Sequence, residues 1–335
     1  MKNIAVFTVL VIITGAFTAN NSAFCQEPEK ERNYSFSFGT QFGFVHGQSL
    51  EILYPVDTKG ELLSELIWDM KSVFYYGIRL DFSRTNLMSA PGFFASVSFK
   101  SGVPGDTGIM EDRDWQSVEN GSLTNFSSHT NKTRDFYWLD LALGATIPIE
   151  SYLYIKPFIS GSWMHFSFTG RDGRAEYARK NTSNTFFPID DNPVIYSFDG
   201  KDVINYKQDW FLIAAGFSVG TKILSPFSFD LSFQISPFTY CAAKDEHLLR
   251  DDLKEQGVDA FLDYTGWGLF LEPAGVFSFS VERIELSLEL AWRYIGRTKG
   301  GTYMRNIHEG YYLAANKAGA GLSFFSANFL IRIRI

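Results

Sequence analysis

The sequence predicts an all-β protein, a ten-stranded antiparallel β-barrel that crosses a membrane with its strands. Three observations carry that expectation. Aromatic residues make up 17% of the 335-residue chain, with 33 Phe and 16 Tyr, yet beyond the first residues no apolar run is long enough for a helical span. Apolar residues instead alternate with polar ones, the period-two pattern of strands that show one side to lipid. Between these runs, short turns alternate with long polar connections, as in a barrel whose two rims differ.

The elements follow in order. Residues 1–25 read as a secretory signal peptide: Lys2 gives a small positive start, Ile4 to Phe17 is almost wholly apolar, and Ala23-Phe24-Cys25 precedes a charged stretch. That apolar run is too short to span a membrane. Cleavage is expected near Cys25; lipid modification of Cys25 is the competing reading, and Phe24 is a poor neighbour for it. Residues 26–335 then read as a single barrel domain. Its strands are expected near 33–54, 61–83, 91–112, 134–148, 152–170, 203–223, 227–245, 261–281, 284–303 and 318–335. Many of these exceed ordinary globular strand length, which argues for a barrel standing proud of the membrane. An even strand count in an antiparallel ring leaves no open edge in hydrocarbon. The last strand shows the pattern plainly: Phe325, Ala327, Phe329, Ile331, Ile333 and Ile335 share one face, while Asn328, Arg332 and Arg334 share the other.

The connections divide into two sets. Those at 83–91, 148–151, 224–227 and 281–284 are short and are expected on the periplasmic side. Those near 55–60, 113–133, 171–202, 246–260 and 304–317 are mostly long and charged, and are expected outside the cell. No internal repeat is visible, and no connection is long enough to form a domain.

Composition narrows the function. The formal net charge is −7, which disfavours nucleic acid as a partner and suits a cationic one. Five His and two Cys, widely scattered, give no metal-ligand spacing, and no cofactor is implied. With Cys25 removed, Cys241 has no disulfide partner and reads as a small apolar strand residue.

Two triplets carry the chemistry. Asp112-Arg113-Asp114, followed by Trp115, and Asp245-Glu246-His247 each end a predicted strand. Residues i and i+2 of a strand share a face, so Asp112 lies beside Asp114, and Asp245 beside His247. Two adjacent carboxylates are electrostatically costly, and an imidazole held by a carboxylate is a general base near neutral pH. Both pairs, and Glu51 on the first strand, fall at the rim with the long connections. Ser127 and His129 are tempting as a nucleophile pair but are assigned to loop structure.

These motifs resemble those of the omptins, outer-membrane endoproteases on a ten-stranded barrel. The resemblance spans nearly the whole predicted barrel. Gly47-Gln48-Ser49-Leu50-Glu51-Ile52-Leu53-Tyr54 resembles the first-strand pattern of that family. Asp112-Arg113-Asp114-Trp115 resembles its Asp-x-Asp-Trp, with Gly121, Thr124, Ser127 and His129 at the spacing of the following loop. Ile204-Asn205-Tyr206-Lys207-Gln208, Asp245-Glu246-His247, Trp292, Lys299-Gly300-Gly301-Thr302 and Gly319-Ala320-Gly321 follow in order. The resemblance implies a dyad, Asp245 and His247, that activates a water. Asp112 and Asp114 position that water from across a groove, and Glu51 lies in a pocket for a basic side chain. It implies protein or peptide substrates, cationic ones above all, an outer-membrane lipid setting, and a groove facing outside.

The departures bear on specificity. A family acid two residues before the dyad Asp aligns with Ala243, and a second acid aligns with Asn125, leaving Glu51 to bear the basic preference alone. A lipopolysaccharide clamp in the family aligns with Gly161, Trp163, His165 and Asp209, so lipopolysaccharide dependence is not carried over. The alternative is a catalytically idle outer-membrane barrel acting as adhesin or structural protein, which four filled catalytic positions disfavour. A porin is weaker still, because side chains fill the interior of so small a barrel.

Overall fold

The computed structural model describes residues 34–55, 62–84, 91–116, 122–180, 188–189, 192–222 and 226–335, apart from the side chains of 315 and 316. The expected leader with Cys25, and Gly121, lie outside these residues.

Alternating sequence becomes long antiparallel strands, as period-two patterning requires. They are β1 (Tyr34–Tyr54), β2 (Ser64–Arg84), β3 (Gly92–Gly102), β4 (Gly105–Asp114), β5 (Asn125–Pro148), β6 (Leu153–Tyr177), β7 (Val194–Ser197), β8 (Asp202–Thr221), β9 (Phe227–Ser236) and β10 (Thr239–His247). After a five-residue helix, α1 (Asp251–Glu255), come β11 (Val258–Gly266), β12 (Phe270–Val281), β13 (Ile284–Ile295), β14 (Lys299–Asn306) and β15 (Gly310–Arg334). Four of the ten expected strands are broken into two pieces: β3 with β4, β9 with β10, β11 with β12, and β13 with β14. Pro104 and Pro237, which have no N–H to give a ladder, sit at two of the breaks. Trp267, at φ 63°, turns the chain at a third. Each broken strand still fills one place in the ring, so the barrel has ten staves, and the short β7 adds to β6 above them.

The ring closes where β15 pairs β1, from Ser37 opposite Arg334 to Tyr54 opposite Lys317. Gly47 is required at this seam: a Cβ there would lie 2.1 Å from the Ser323 carbonyl oxygen and 2.5 Å from the Phe324 Cα. No helix among the described residues is long and apolar enough to cross a membrane; the strands do the crossing.

The barrel has three levels. The rim of short turns surrounds a polar lumen, a cavity of about 1050 Å³. Six of its carboxylates are paired, among them Asp81 with Arg79 and Arg332, Asp140 with Lys100 and Arg293, Asp230 with Lys156, and Glu272 with Arg293. Glu285 pairs with Arg332 and Arg334, and Glu289 with Arg79. Around this level the outward face is apolar, with Phe74, Tyr76, Ile159, Ile213, Phe217 and Leu231 all more than half exposed. A water-facing surface of that kind is a liability, and a lipid-facing one is expected.

Above the lumen an aromatic layer blocks the bore. Trp68 stacks on Tyr206 with ring centroids 5.2 Å apart and on Phe168 at 5.6 Å; below them Trp138 packs edge to face with Phe136 and Phe324, as Phe166 does with Phe324, and Phe136 lies tilted against Phe166. Each fully buried ring of this kind stabilises the barrel by about 1.5–3 kcal/mol. Above this layer β4, β10, β11 and β14 extend the barrel past the apolar band to the mouth with the long connections.

Three expected strands prove longer than their apolar pattern, β6 among them, which runs on to Tyr177 rather than ending at 170. β5 begins at Asn125 rather than 134, and β15 at Gly310 rather than 318. The extension of β5 turns Ser127, His129, Asn131 and Thr133 inward, all buried, so polar residues stand where alternation would need apolar ones.

Candidate active site

Asp112 and Asp114 come to the mouth on the last turn of β4's pleat. In register, Asp114 lies between Ser64 of β2 and Asn125 of β5, and Asp112 between Leu66 and Ser127. The loop after them is pinned back, because Thr124 Oγ1 donates to the Asp114 carbonyl at 2.9 Å and accepts from the Gln116 N–H at 3.0 Å. Asn125 Nδ2 donates to Asp114 Oδ2 at 3.1 Å, and Gln116 Nε2 does so at 3.3 Å. Ser64 Oγ donates to Asp112 Oδ1 at a long 3.4 Å. Burial, then the Asp114 charge, pushes the Asp112 carboxyl well above the usual range, against the opposing pull of His247. Burial also raises Asp114, less strongly, since Asn125 and Ser64 stabilise its ionised form.

Asp245 and His247 come from β10, held between β8 and β11: Asp245 sits opposite Tyr206 on one side and Phe261 on the other. Asp245 Oδ2 meets His247 Nε2 at 2.7 Å, and the His247 ring packs edge-on against Phe261 at 5.8 Å. Burial lowers the imidazole's proton affinity, but the Asp245 charge and hydrogen bond, with Asp112 behind them, outweigh it and raise the pKa. The two pairs therefore meet, each within reach of the other's charge. Because Asp245 accepts from Nε2–H, the Nδ1 lone pair of His247 is left to take a proton.

Glu51 lies on the same register row as Leu66 and Asp112. It is 3% exposed, and its Oε2 has no hydrogen-bond partner. Burial, followed by the charges of Asp245, Asp263 and Asp112, raises its pKa well above normal. Beneath it a polar floor spans the bore: Ser49 Oγ donates to Gln208 Oε1 at 2.5 Å, Trp210 Nε1 donates to the same oxygen at 2.9 Å, and Gln208 Nε2 donates to Tyr206 OH at 2.8 Å.

Asp263 was not expected. It stands on β11 directly opposite Ala243, buried, with Oδ1 unpartnered. Burial, with the Asp245 charge behind it, pushes its carboxyl up to about 7 against the opposing pull of the hydroxyl of Thr302, its register partner on β14. The available signal was an acid at an inward register position, between Phe261 and Thr265, near the long-connection rim. A single acid with no companion two residues away does not stand out in a sequence.

Ser127 and His129 are strand residues rather than loop structure, because β5 starts before them. His129 Nε2 lies 3.0 Å from Ser127 Oγ, and its Nδ1 lies 2.6 Å from the Asp172 carbonyl. Both residues are buried, so they brace the wall behind Asp112 rather than face a substrate. Trp163 Nε1 donates to Asp209 Oδ1 at 3.0 Å, and His165 Nδ1 lies 2.9 Å from the same oxygen. That cluster already satisfies Asp209. Cys241 is buried in the apolar core. Among the described residues, no group of three or more His, Cys, Asp or Glu is arranged to hold a metal ion.

The model of the omptin family matches residues 32–333 of the chain. Among solved structures, the outer membrane protease OmpT from Escherichia coli is similar at 18% sequence identity and a TM-score of 0.74, covering 94% of this chain and 99% of that one. At that identity the likeness is one of fold. The toluene transporter TodX of P. putida covers 90% of each chain at 8% identity, but its TM-score of 0.29 carries no argument. No curated protein matches the sequence.

Proposed function

The chain belongs to the omptin family, and from that premise we propose that it is an outer-membrane endopeptidase that hydrolyses peptide bonds with a water activated by Asp245 and His247. The carrying observation is the 2.7 Å contact between Asp245 and His247, beside a second acid pair at the mouth of a closed barrel. The water sits between His247 Nδ1 and the Asp112–Asp114 pair. His247 takes its proton as the water attacks the substrate carbonyl, and returns that proton to the leaving amine. Asp245 holds the tautomer and offsets the positive charge on the ring. Burial raises both carboxyls of the second pair, and the pair positions and polarises the attacking water from the other side of the groove.

The mouth with the long connections faces outside the cell, so substrates arrive from the medium. The acids there favour cationic proteins and peptides, and Glu51 selects a basic residue before the cut. The test is cleavage of an internally quenched peptide by protein refolded into lipid. His247→Ala should reduce turnover at least a hundredfold while barrel formation is intact, and a chelator should have no effect. Undiminished cleavage by that variant would refute the dyad.

A further inference from the structure

We propose that Asp263 is the second acid of a cation-accepting subsite, which it forms with Glu51 around the ammonium or guanidinium of a substrate Lys or Arg. The proposal rests on the peptidase reading above and adds a residue that neither the motifs nor the family match singles out.

Three buried carboxylate oxygens at the mouth lack any hydrogen-bond partner: Glu51 Oε2, Asp263 Oδ1 and, within the dyad, Asp245 Oδ1. A buried acceptor left unsatisfied is costly, and a carboxylate more so. They belong to one cluster, because Glu51 feels the charges of both Asp245 and Asp263, and Tyr206 in the floor feels both Glu51 and Asp263. Register explains the convergence. Asp263, Ala243 and Gln208 occupy one row, and Gln208 reaches across the bore to Ser49, two residues from Glu51 on the same face. Ala243 contributes a methyl group and no polar partner for its neighbour. The dyad begins two residues further along, so a cation seated here lies beside the bond to be cut.

Counter-ions distinguish this cluster from the carboxylates of the lower lumen. In the lower lumen each carboxylate named above has an Arg or Lys within 4 Å. At the mouth, among the described residues, no ion pair involves Glu51, Asp112, Asp114 or Asp263, and Asp245 has only His247. A basic side chain of a substrate supplies the missing cation, and its N–H donors fit two carboxylates that approach from different strands. An incoming Lys or Arg is therefore held by Glu51 from β1 and Asp263 from β11, over the Gln208 floor.

The experiment compares two peptides that differ only in Arg or citrulline before the cut. In the wild type, kcat/KM should favour the Arg peptide, and Asp263→Asn should shrink that preference about tenfold or more. Asp263→Glu, which keeps the charge, should retain most of the preference. An unchanged ratio in Asp263→Asn, or an equal fall for both peptides, would overturn the proposal and leave Asp263 a structural acid. Equilibrium binding of the same peptides to His247→Ala protein, with and without Asp263→Asn, separates the two readings. If neither peptide is hydrolysed by the wild type, the peptidase reading fails, yet charge-dependent binding lost with Asp263 still upholds the subsite. If hydrolysis is intact and binding discrimination ignores Asp263, only the subsite fails.

Discussion

Asp245→Asn is the sharpest perturbation of the dyad, because it changes one atom and one charge. The carboxylate accepts the Nε2–H of His247 at 2.7 Å. An amide at that place can offer its own N–H to Nε2, which drives the imidazole proton to Nδ1 and removes the lone pair that the proposed mechanism assigns to the water. General base catalysis contributes roughly 10²–10⁴-fold, so the variant should lose about 3–5 kcal/mol of transition-state stabilisation. A second signature follows from charge. In the wild type Asp245 lifts the His247 pKa above that of an ordinary imidazole, so on the proposed mechanism activity should be lost as pH falls through that raised value and be present above it. Without the Asp245 charge, burial dominates and lowers the pKa, so the acid limb of the residual activity should move to lower pH. The assay is kcat against pH for a quenched peptide in lipid-reconstituted protein, with circular dichroism and gel mobility of the unheated barrel as fold controls. Wild-type kcat in Asp245→Asn, or a reduced kcat with an unmoved acid limb, would refute the reasoning.

Ile159→Arg places a charge on the most open part of the apolar band, where Ile159 is 63% exposed; it should cost about 2–4 kcal/mol in lipid, read from urea unfolding in vesicles, and a neutral result would remove lipid from that face. Arg293→Ala strips Glu272, and in part Asp140, of a buried cation and should destabilise the barrel by about 3–5 kcal/mol by the same measurement. The preference for Arg over citrulline before the cut should widen as pH rises through about 7, where Asp263 loses its proton. A flat ratio between pH 6 and 8 would mean that Asp263 does not titrate against the substrate cation.

The staves were legible in the sequence because lipid imposes a strict rule: each crossing strand must show apolar side chains every second residue. Asp112 with Asp114, and Asp245 with His247, were legible for the same geometric reason, since both partners of each pair lie two residues apart on one strand. Where the barrel leaves the lipid the rule lapses. The upper part of β5 packs Ser127, His129, Asn131 and Thr133 inward, and hydrogen bonds rather than apolar contact hold it. Its strand is therefore invisible to an alternation search. Asp263 was hidden for a further reason. Its companions, Glu51, Asp245 and the Gln208 floor, come from three other strands, and only ring closure and register bring them together.

The two ends of the bore solve one electrostatic problem in opposite ways. Ionised groups in so narrow a barrel are stable only when paired, and the lower lumen pairs them within the chain, as Arg293 does for Glu272 and Asp140. Those contacts hold the wall together and leave nothing for a ligand. The aromatic layer of Trp68, Phe168 and Tyr206 separates that network from the mouth, so no basic group below relieves the acids above. Glu51 and Asp112 instead hold their protons more tightly than ordinary carboxyls do, which lowers the cost of the empty groove. On the proposed function, a basic substrate would reverse this balance: its charge would favour the ionised acids, so protons would leave as it enters. On that proposal, interactions that could have stabilised the free protein are kept for the complex, next to the bond assigned to His247. That is the arrangement expected where binding energy is directed toward catalysis rather than toward the stability of the unliganded fold.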